Sequence, residues 1–223
     1  MRRPLRPSLA RLVDGRAPGL VDSLFLTLLA LSLRLPGLGD RPLWLDEAYS
    51  ALVARGTFGG IESLQADASP PLYFVLLKAW TWLFGEREIA LRALSVACGA
   101  AGVLLAAALA RALAPDGLKR AAGLAAGGVL AVMPLHVFYS RESRGYALWS
   151  VISLAILLTL VRAIQGTPSW RLWALFALAL GLGLYTHNYA VFWVPLGVVT
   201  AWLWAPAHRR HSAWATLGAT VAW

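Results

Sequence analysis

Three short stretches hold residue types that could do chemistry. Asp46 and Glu47 stand side by side in RPLWLDEAYSAL (residues 41–52), Arg141, Glu142 and Arg144 crowd into FYSRESRGYALW (138–149), and His187 and Tyr189 share YTHNY (185–189). A carboxylate within hydrogen-bond reach of a hydroxyl or amine can act as a general base. Two guanidiniums three residues apart, next to a helix N-terminus, can hold a phosphate through bidentate hydrogen bonds and the positive end of the helix dipole. Each stretch also has a plainer reading. Asp46 suits the N-cap of a short helix over Glu47–Arg55, with Ser140 in the same role before Arg141. The arginines could merely snorkel to a membrane interface, and His187 and Tyr189 could be interface anchors. Adjacent side chains on a helix diverge by about 100°. Only one of Asp46 and Glu47 can therefore aim at a reacting group, leaving the other to support it.

The elements that must position these residues are membrane helices. Of the 223 residues, 59% are hydrophobic and 14% charged, well away from the soluble balance. Apolar runs of membrane length predict six spans: Gly19–Leu38, Ile89–Ala110, Ala121–Tyr139, Gly145–Val161, Pro168–Thr186 and Tyr189–Ala205. Trp44, Trp149, Trp170, Trp173 and Trp204 fall near the ends of such runs, where an amphipathic ring rests best. The net charge of +9 is scattered among short loops rather than gathered on one face, which argues against a nucleic-acid partner. One cysteine, Cys98, inside an apolar run, excludes a disulfide framework. The expectation is one membrane domain over 1–223, without internal repeats. Its basic tail (1–18) lies in the cytoplasm, and the final run SAWATLGATVAW reads as a seventh helix cut short.

Loop charge decides how the segment SPPLYFVLLKAWTWLF (69–84) is placed. Its helical part, about 22 Å long, is short for a hydrocarbon core and contains Lys78. If it crossed, Arg111, Lys119, Arg120, Arg162, Arg171, Arg209 and Arg210 would all face outward, against the positive-inside preference. If it lies along the outer surface, all seven are cytoplasmic. Residues 39–88 then form a long first outer loop with interfacial helices, and LDEAYS, SRESRGY and YTHNY meet on the outer face. Polar residues that converge in an apolar protein mark a site.

The order of W-x-D-E, PPLYFVLLKAWTWLFGEREIALRALSV, YSRESRGYAL and YTHNYAVF resembles the protein mannosyltransferase and aminoarabinose transferase superfamily. The resemblance covers about residues 20 to 205. It implies an all-α, polytopic membrane bundle of the GT-C type that takes sugars from polyprenyl-phosphate carriers at the cell envelope. It further implies that Asp46 is catalytic with Glu47 as the second acid, and that Glu142, Arg144 and Tyr146 help bind the donor phosphate. Ser69, Arg141 and Asn188 stand where members commonly have His, Gln and Tyr. Arg141 therefore enters the phosphate site on the local charge argument alone, and His187 and Tyr189 enter as candidate substrate contacts.

The expected function is transfer of a hexosyl or pentosyl group from a polyprenyl-phosphate donor to a protein, lipid or glycan acceptor. It would act on the outer face of the plasma membrane, with Asp46 as base and the arginines at the leaving phosphate. Asp46, Glu47 and Glu142 could share a divalent ion, and the resemblance leaves that requirement open. A transporter is the rival reading, although transporters favour repeats and mid-membrane polar groups. A non-catalytic membrane fragment is a third.

Overall fold

A computed structural model describes residues 19–56, 70–165 and 169–204 together with Gly218, without the side chains of 200–204. The expected cytoplasmic tail lies outside the described residues, as do Ser69, Arg209, Arg210 and all but one residue of the C-terminal run. The described chain is an all-α membrane helix bundle. Its helices are α1 (Leu20–Arg34), α2 (Leu45–Arg55), α3 (Leu72–Phe84), α4 (Glu88–Leu113), α5 (Lys119–Val132), α6 (Pro134–Tyr139), α7 (Tyr146–Gln165), α8 (Trp170–Leu184) and α9 (Trp193–Trp204). Short 3-10 turns cover Asp116–Leu118 and Asn188–Phe192.

Of these, α4 and α7 are long and apolar enough to cross a membrane, with 26 and 20 residues. α1, α8 and α9 are shorter than the apolar runs that contain them, and the run 121–139 is split between two helices. Pro36 follows α1, and Pro134 divides the run 121–139 into α5 and α6. A proline there has no N–H for the turn before it and its ring crowds that turn's carbonyl. The broken end is closed by Arg34, buried at the end of α1, which donates to the Ala30 and Ala131 carbonyls at 2.9 and 3.0 Å and meets His136 Nδ1 at 2.8 Å.

α4 is the central element. One face packs with α1 and α5 through Leu26, Ala100, Val103, Ala107 and Ala131. The other shares a larger cluster with α3, α7 and α8, built on Tyr73, Leu77, Leu91, Ile152, Ile156, Trp173 and Phe176. Close approach needs a bare backbone at Gly99, where an added Cβ would lie 2.3 Å from Ser140 Oγ and 3.0 Å from Arg34 Nε. That contact fixes the chain entering residues 140–145 against the side of α4.

The interval between α1 and α4 closes on itself, since Arg92, on the second turn of α4, donates to the carbonyl of Leu38 just after α1. α3 has thirteen residues, about 20 Å of helix. Its Lys78, unexpected in an apolar helix, donates to the Gly56 carbonyl and so ties α3 to the end of α2. At the other end of the bundle Asp22 of α1 pairs with Arg111 of α4 (3.8 Å) and Arg120 of α5 (2.9 Å).

Candidate active site

The two acids sit on the first turn of α2, but neither caps it. Trp44 is the N-cap and offers no side-chain bond, and the helix begins at Leu45, two residues before the expected start. The reading of Asp46 as an N-cap is therefore incorrect. The turn points Glu47 inward, where it is 1% exposed, while Asp46 remains partly open with 39% of its side chain accessible. The divergence expected of neighbours on a helix is thus realised.

Glu47 owes its position to Arg92. The guanidinium grips both carboxylate oxygens, Nε to Oε1 at 2.8 Å and Nη2 to Oε2 at 2.7 Å. Its remaining donors reach the carbonyls of Leu38 (2.8 Å), Arg41 (2.8 Å) and Pro42 (3.2 Å). One side chain thereby organises the whole approach to α2. The Ser143 N–H also donates to Glu47 Oε1, at 2.9 Å, and this joins residues 140–145 to the acid pair. Burial by itself would push the Glu47 carboxyl up, but the hydrogen bonds from Arg92 and from the Ser143 amide outweigh it and hold the group below its ordinary value.

Residues 140–145 form a turn, not the first turn of a helix. Ser140 ends α6, its hydroxyl donating to the His136 carbonyl at 2.5 Å, and α7 starts only at Tyr146. Ser140 is consequently no N-cap, and the two arginines do not share a helix terminus. They diverge. Arg141 donates to the Pro36 carbonyl at 2.6 Å, while Arg144 faces Asp46 with Nη2 and Oδ2 3.8 Å apart. From below, the buried Tyr73 hydroxyl meets those of Ser95 and Ser143 at 3.0 and 3.4 Å, and Ser95 donates to the Arg144 carbonyl at 3.3 Å. Glu142 has its carboxyl pushed up, first by burial and then by the negative charges of Glu47 and Asp46.

The remaining expected residues lie further off. The ring of Tyr146 packs on Tyr139 with centroids 4.6 Å apart. His187 stacks on Trp149, one turn further along α7, at 5.4 Å, and lies 5.0 Å from Tyr189. Its Nδ1 accepts the Tyr189 N–H, so part of its polarity serves to cap the 3-10 turn. No contact joins His187 or Tyr189 to the acids among the described residues. A metal shared by Asp46, Glu47 and Glu142 fits this arrangement poorly, because Arg92 and the Ser143 amide already occupy Glu47. Among the described residues no group of three or more His, Cys, Asp or Glu side chains could hold an ion.

Beside the acids opens a cleft of about 710 Å³. Leu33, Val132, Pro134, Val137 and Phe138 form an apolar wall, and Arg41, Glu47, Arg92, Arg141 and Glu142 supply its polar groups. The sequence reading missed Arg92 and Arg41. An arginine within the apolar run of a membrane helix was the available signal for the first. A cation five residues before an acid pair was the weaker signal for the second.

A family model described as Dolichyl-phosphate-mannose-protein mannosyltransferase matches residues 68–223. The chain belongs to that family. The match spans Ser140–Tyr146 and His187–Tyr189 but begins after Asp46 and Glu47, so for the acid pair the family resemblance rests on the local motif. No curated protein matches the chain, and neither does any solved structure. Membership in the mannosyltransferase family makes the chain a membrane glycosyltransferase of the mannosyltransferase kind, and a sugar on a polyprenyl-phosphate carrier is the donor class of that family.

Proposed function

We propose that the protein transfers a hexosyl or pentosyl group from a polyprenyl-phosphate carrier to a hydroxyl or amine on the outer face of the plasma membrane, with Asp46 as general base. The observation that carries this reading is the pairing of Asp46 with Arg144, a base candidate 3.8 Å from a cation, on a turn anchored by the Glu47–Arg92 ion pair. In the reaction the acceptor proton passes to Asp46 as the acceptor atom bonds to the anomeric carbon. The bond from that carbon to the phosphate oxygen breaks, and its electron pair stays on the polyprenyl phosphate. Arg144 and Arg141 offset the charge that develops on the leaving group. Glu142, between these cations in the sequence, lines the cleft. Tyr146 packs on Tyr139 beside the turn, and His187 and Tyr189 are assigned as substrate contacts.

Donor binding tests the cation assignment. Arg144→Ala should weaken binding of a polyprenyl-phosphate sugar by about 1.5–3 kcal/mol. Arg144→Lys should lose less, because lysine keeps the charge without the planar fork. Unchanged affinity in Arg144→Ala would return both arginines to the role of interface anchors.

The contact between Arg92 and the Leu38 carbonyl supports the outer-loop placement of 39–88, since both ends of that interval lie at one end of the bundle. Arg111 and Arg120 mark the opposite end, and the positive-inside preference puts that end in the cytoplasm. In a Cys98→Ala background, cysteines at the exposed positions Asp40 and Asn188 should react with an impermeant reagent added outside. A cysteine at the exposed Gly117 should not. Labelling at Gly117 with protection at Asp40 would invert the topology and remove the site from the outer face.

A further inference from the structure

The cleft has a mouth that the reading above leaves unused. Arg41 stands on the short connection between α1 and α2, exposed, with no ion-pair partner among the described residues. Its side chain does not hold the fold together. Its backbone does, because the Arg41 and Pro42 carbonyls are clamped by Arg92. The base of the side chain is thus fixed while the guanidinium stays available. Arg141 lines the same cleft with its guanidinium anchored to the Pro36 carbonyl, so the cleft presents two guanidiniums, one held at its tip and one only at its backbone. The third arginine of the lining, Arg92, is neutralised by Glu47.

Behind the two cations the wall is apolar, made by Leu33 at the end of α1, Val132 at the end of α5 and Val137 and Phe138 of α6. Leu33, Val132 and Phe138 are also 40, 52 and 55% exposed, so the wall continues onto surface of the kind that meets lipid tails. Apolar walls with a small number of placed polar groups are the usual form of a ligand site. A cationic mouth on an apolar trough fits an anion with a long hydrocarbon tail.

We propose that Arg41 is a donor-binding residue. It grips the phosphate of the polyprenyl-phosphate carrier opposite Arg141, while the polyprenyl chain leaves along the trough between α1 and α6. This assignment rests on the transferase reading and extends it to a cation outside the 140–145 turn. A guanidinium can hold a phosphate bidentately, and two such groups facing one phosphate cover more of its oxygens than Arg144 does alone.

The test measures binding of the sugar-free carrier, polyprenyl phosphate, to the purified protein in micelles at fixed salt. Arg41→Ala should weaken it roughly ten- to a hundredfold, the effect of one charged hydrogen-bonding partner, and Arg41→Lys should recover part of the loss. Val137→Trp, which fills the trough, should weaken the lipid while leaving competition by inorganic phosphate unchanged. This arm separates recognition of a lipid headgroup from recognition of free phosphate. Thermal unfolding of Arg41→Ala should match wild type, because among the described residues only the backbone of Arg41 is bonded. If Arg41→Ala binds the carrier like wild type while Arg144→Ala loses affinity, the assignment of Arg41 is wrong and the transferase reading stands. If neither substitution weakens binding, the phosphate site itself is wrong.

Discussion

Asp46→Asn should lower sugar transfer by about a hundredfold to ten-thousandfold, the usual contribution of a positioned general base. Asparagine keeps the size of the side chain and most of its hydrogen bonding but cannot accept the acceptor proton. The Asp46 side chain does not cap α2, and its ion pair with Arg144 is long at 3.8 Å, so folding and the amount of protein in the membrane should be unchanged. Donor affinity should stay close to wild type, because the phosphate contacts are assigned to arginines. Activity and binding therefore separate at one substitution. Glu47→Gln makes an informative contrast, since it acts on a buried group gripped by Arg92 and should disturb stability as well as rate. Full transfer in Asp46→Asn at normal protein levels would remove the base from this position.

Arg92→Met carries the second large effect. It strands a carboxylate that is 1% exposed and leaves the carbonyls of Leu38, Arg41 and Pro42 without their donor. Removing one partner of a buried ion pair costs about 3–5 kcal/mol, because the remaining charge is left uncompensated. Arg92→Lys should recover little, since one ammonium cannot span five acceptors set out for a planar fork. Unfolding in detergent micelles would show the loss, and the double variant Glu47→Gln with Arg92→Met should be less unstable than the sum of the two single changes. The folded Glu47 carboxyl is held below its ordinary value. Its contribution is therefore present above that ordinary value and lost as pH falls through the folded one. Glu47→Gln should flatten this part of the acid profile. Strict additivity in the double variant would mean that the pair does not act as a unit.

What was legible in the sequence follows from how each signal arises. Helices were readable because apolar length is a property of the chain itself: helices fall on all six runs, although the run 121–139 holds two and, among the described residues, only α4 and α7 are long and apolar enough to cross. The shortness of α3 was readable for the same reason. The divergence of the two acids followed from helix geometry alone, and the structure sets Glu47 inside and Asp46 beside Arg144. The capping assignments failed because Ser140 looks the same before a helix as after one, and only the fold reveals that it ends α6. The break at Pro134 was visible as a proline in the run, but its closure by Arg34 and His136 spans about a hundred residues and left no local mark. Arg92 escaped for a similar reason. Its five acceptors all lie between Leu38 and Glu47, and that stretch meets Arg92 only once α1, α2 and α4 have packed.

The most direct measurement follows a labelled sugar. Membranes carrying the protein would be incubated with a panel of polyprenyl-phosphate sugars, and the label tracked between the lipid carrier, the acceptor fraction and the vesicle lumen. With the matching donor, label should leave the carrier for a linkage to an acceptor hydroxyl or amine, and polyprenyl phosphate should accumulate in equal amount. The same membranes with Asp46→Asn should show donor bound but label retained on the carrier. Label that crosses the bilayer still attached to its lipid, equally in wild type and Asp46→Asn, would contradict the transferase account and assign the protein to transport.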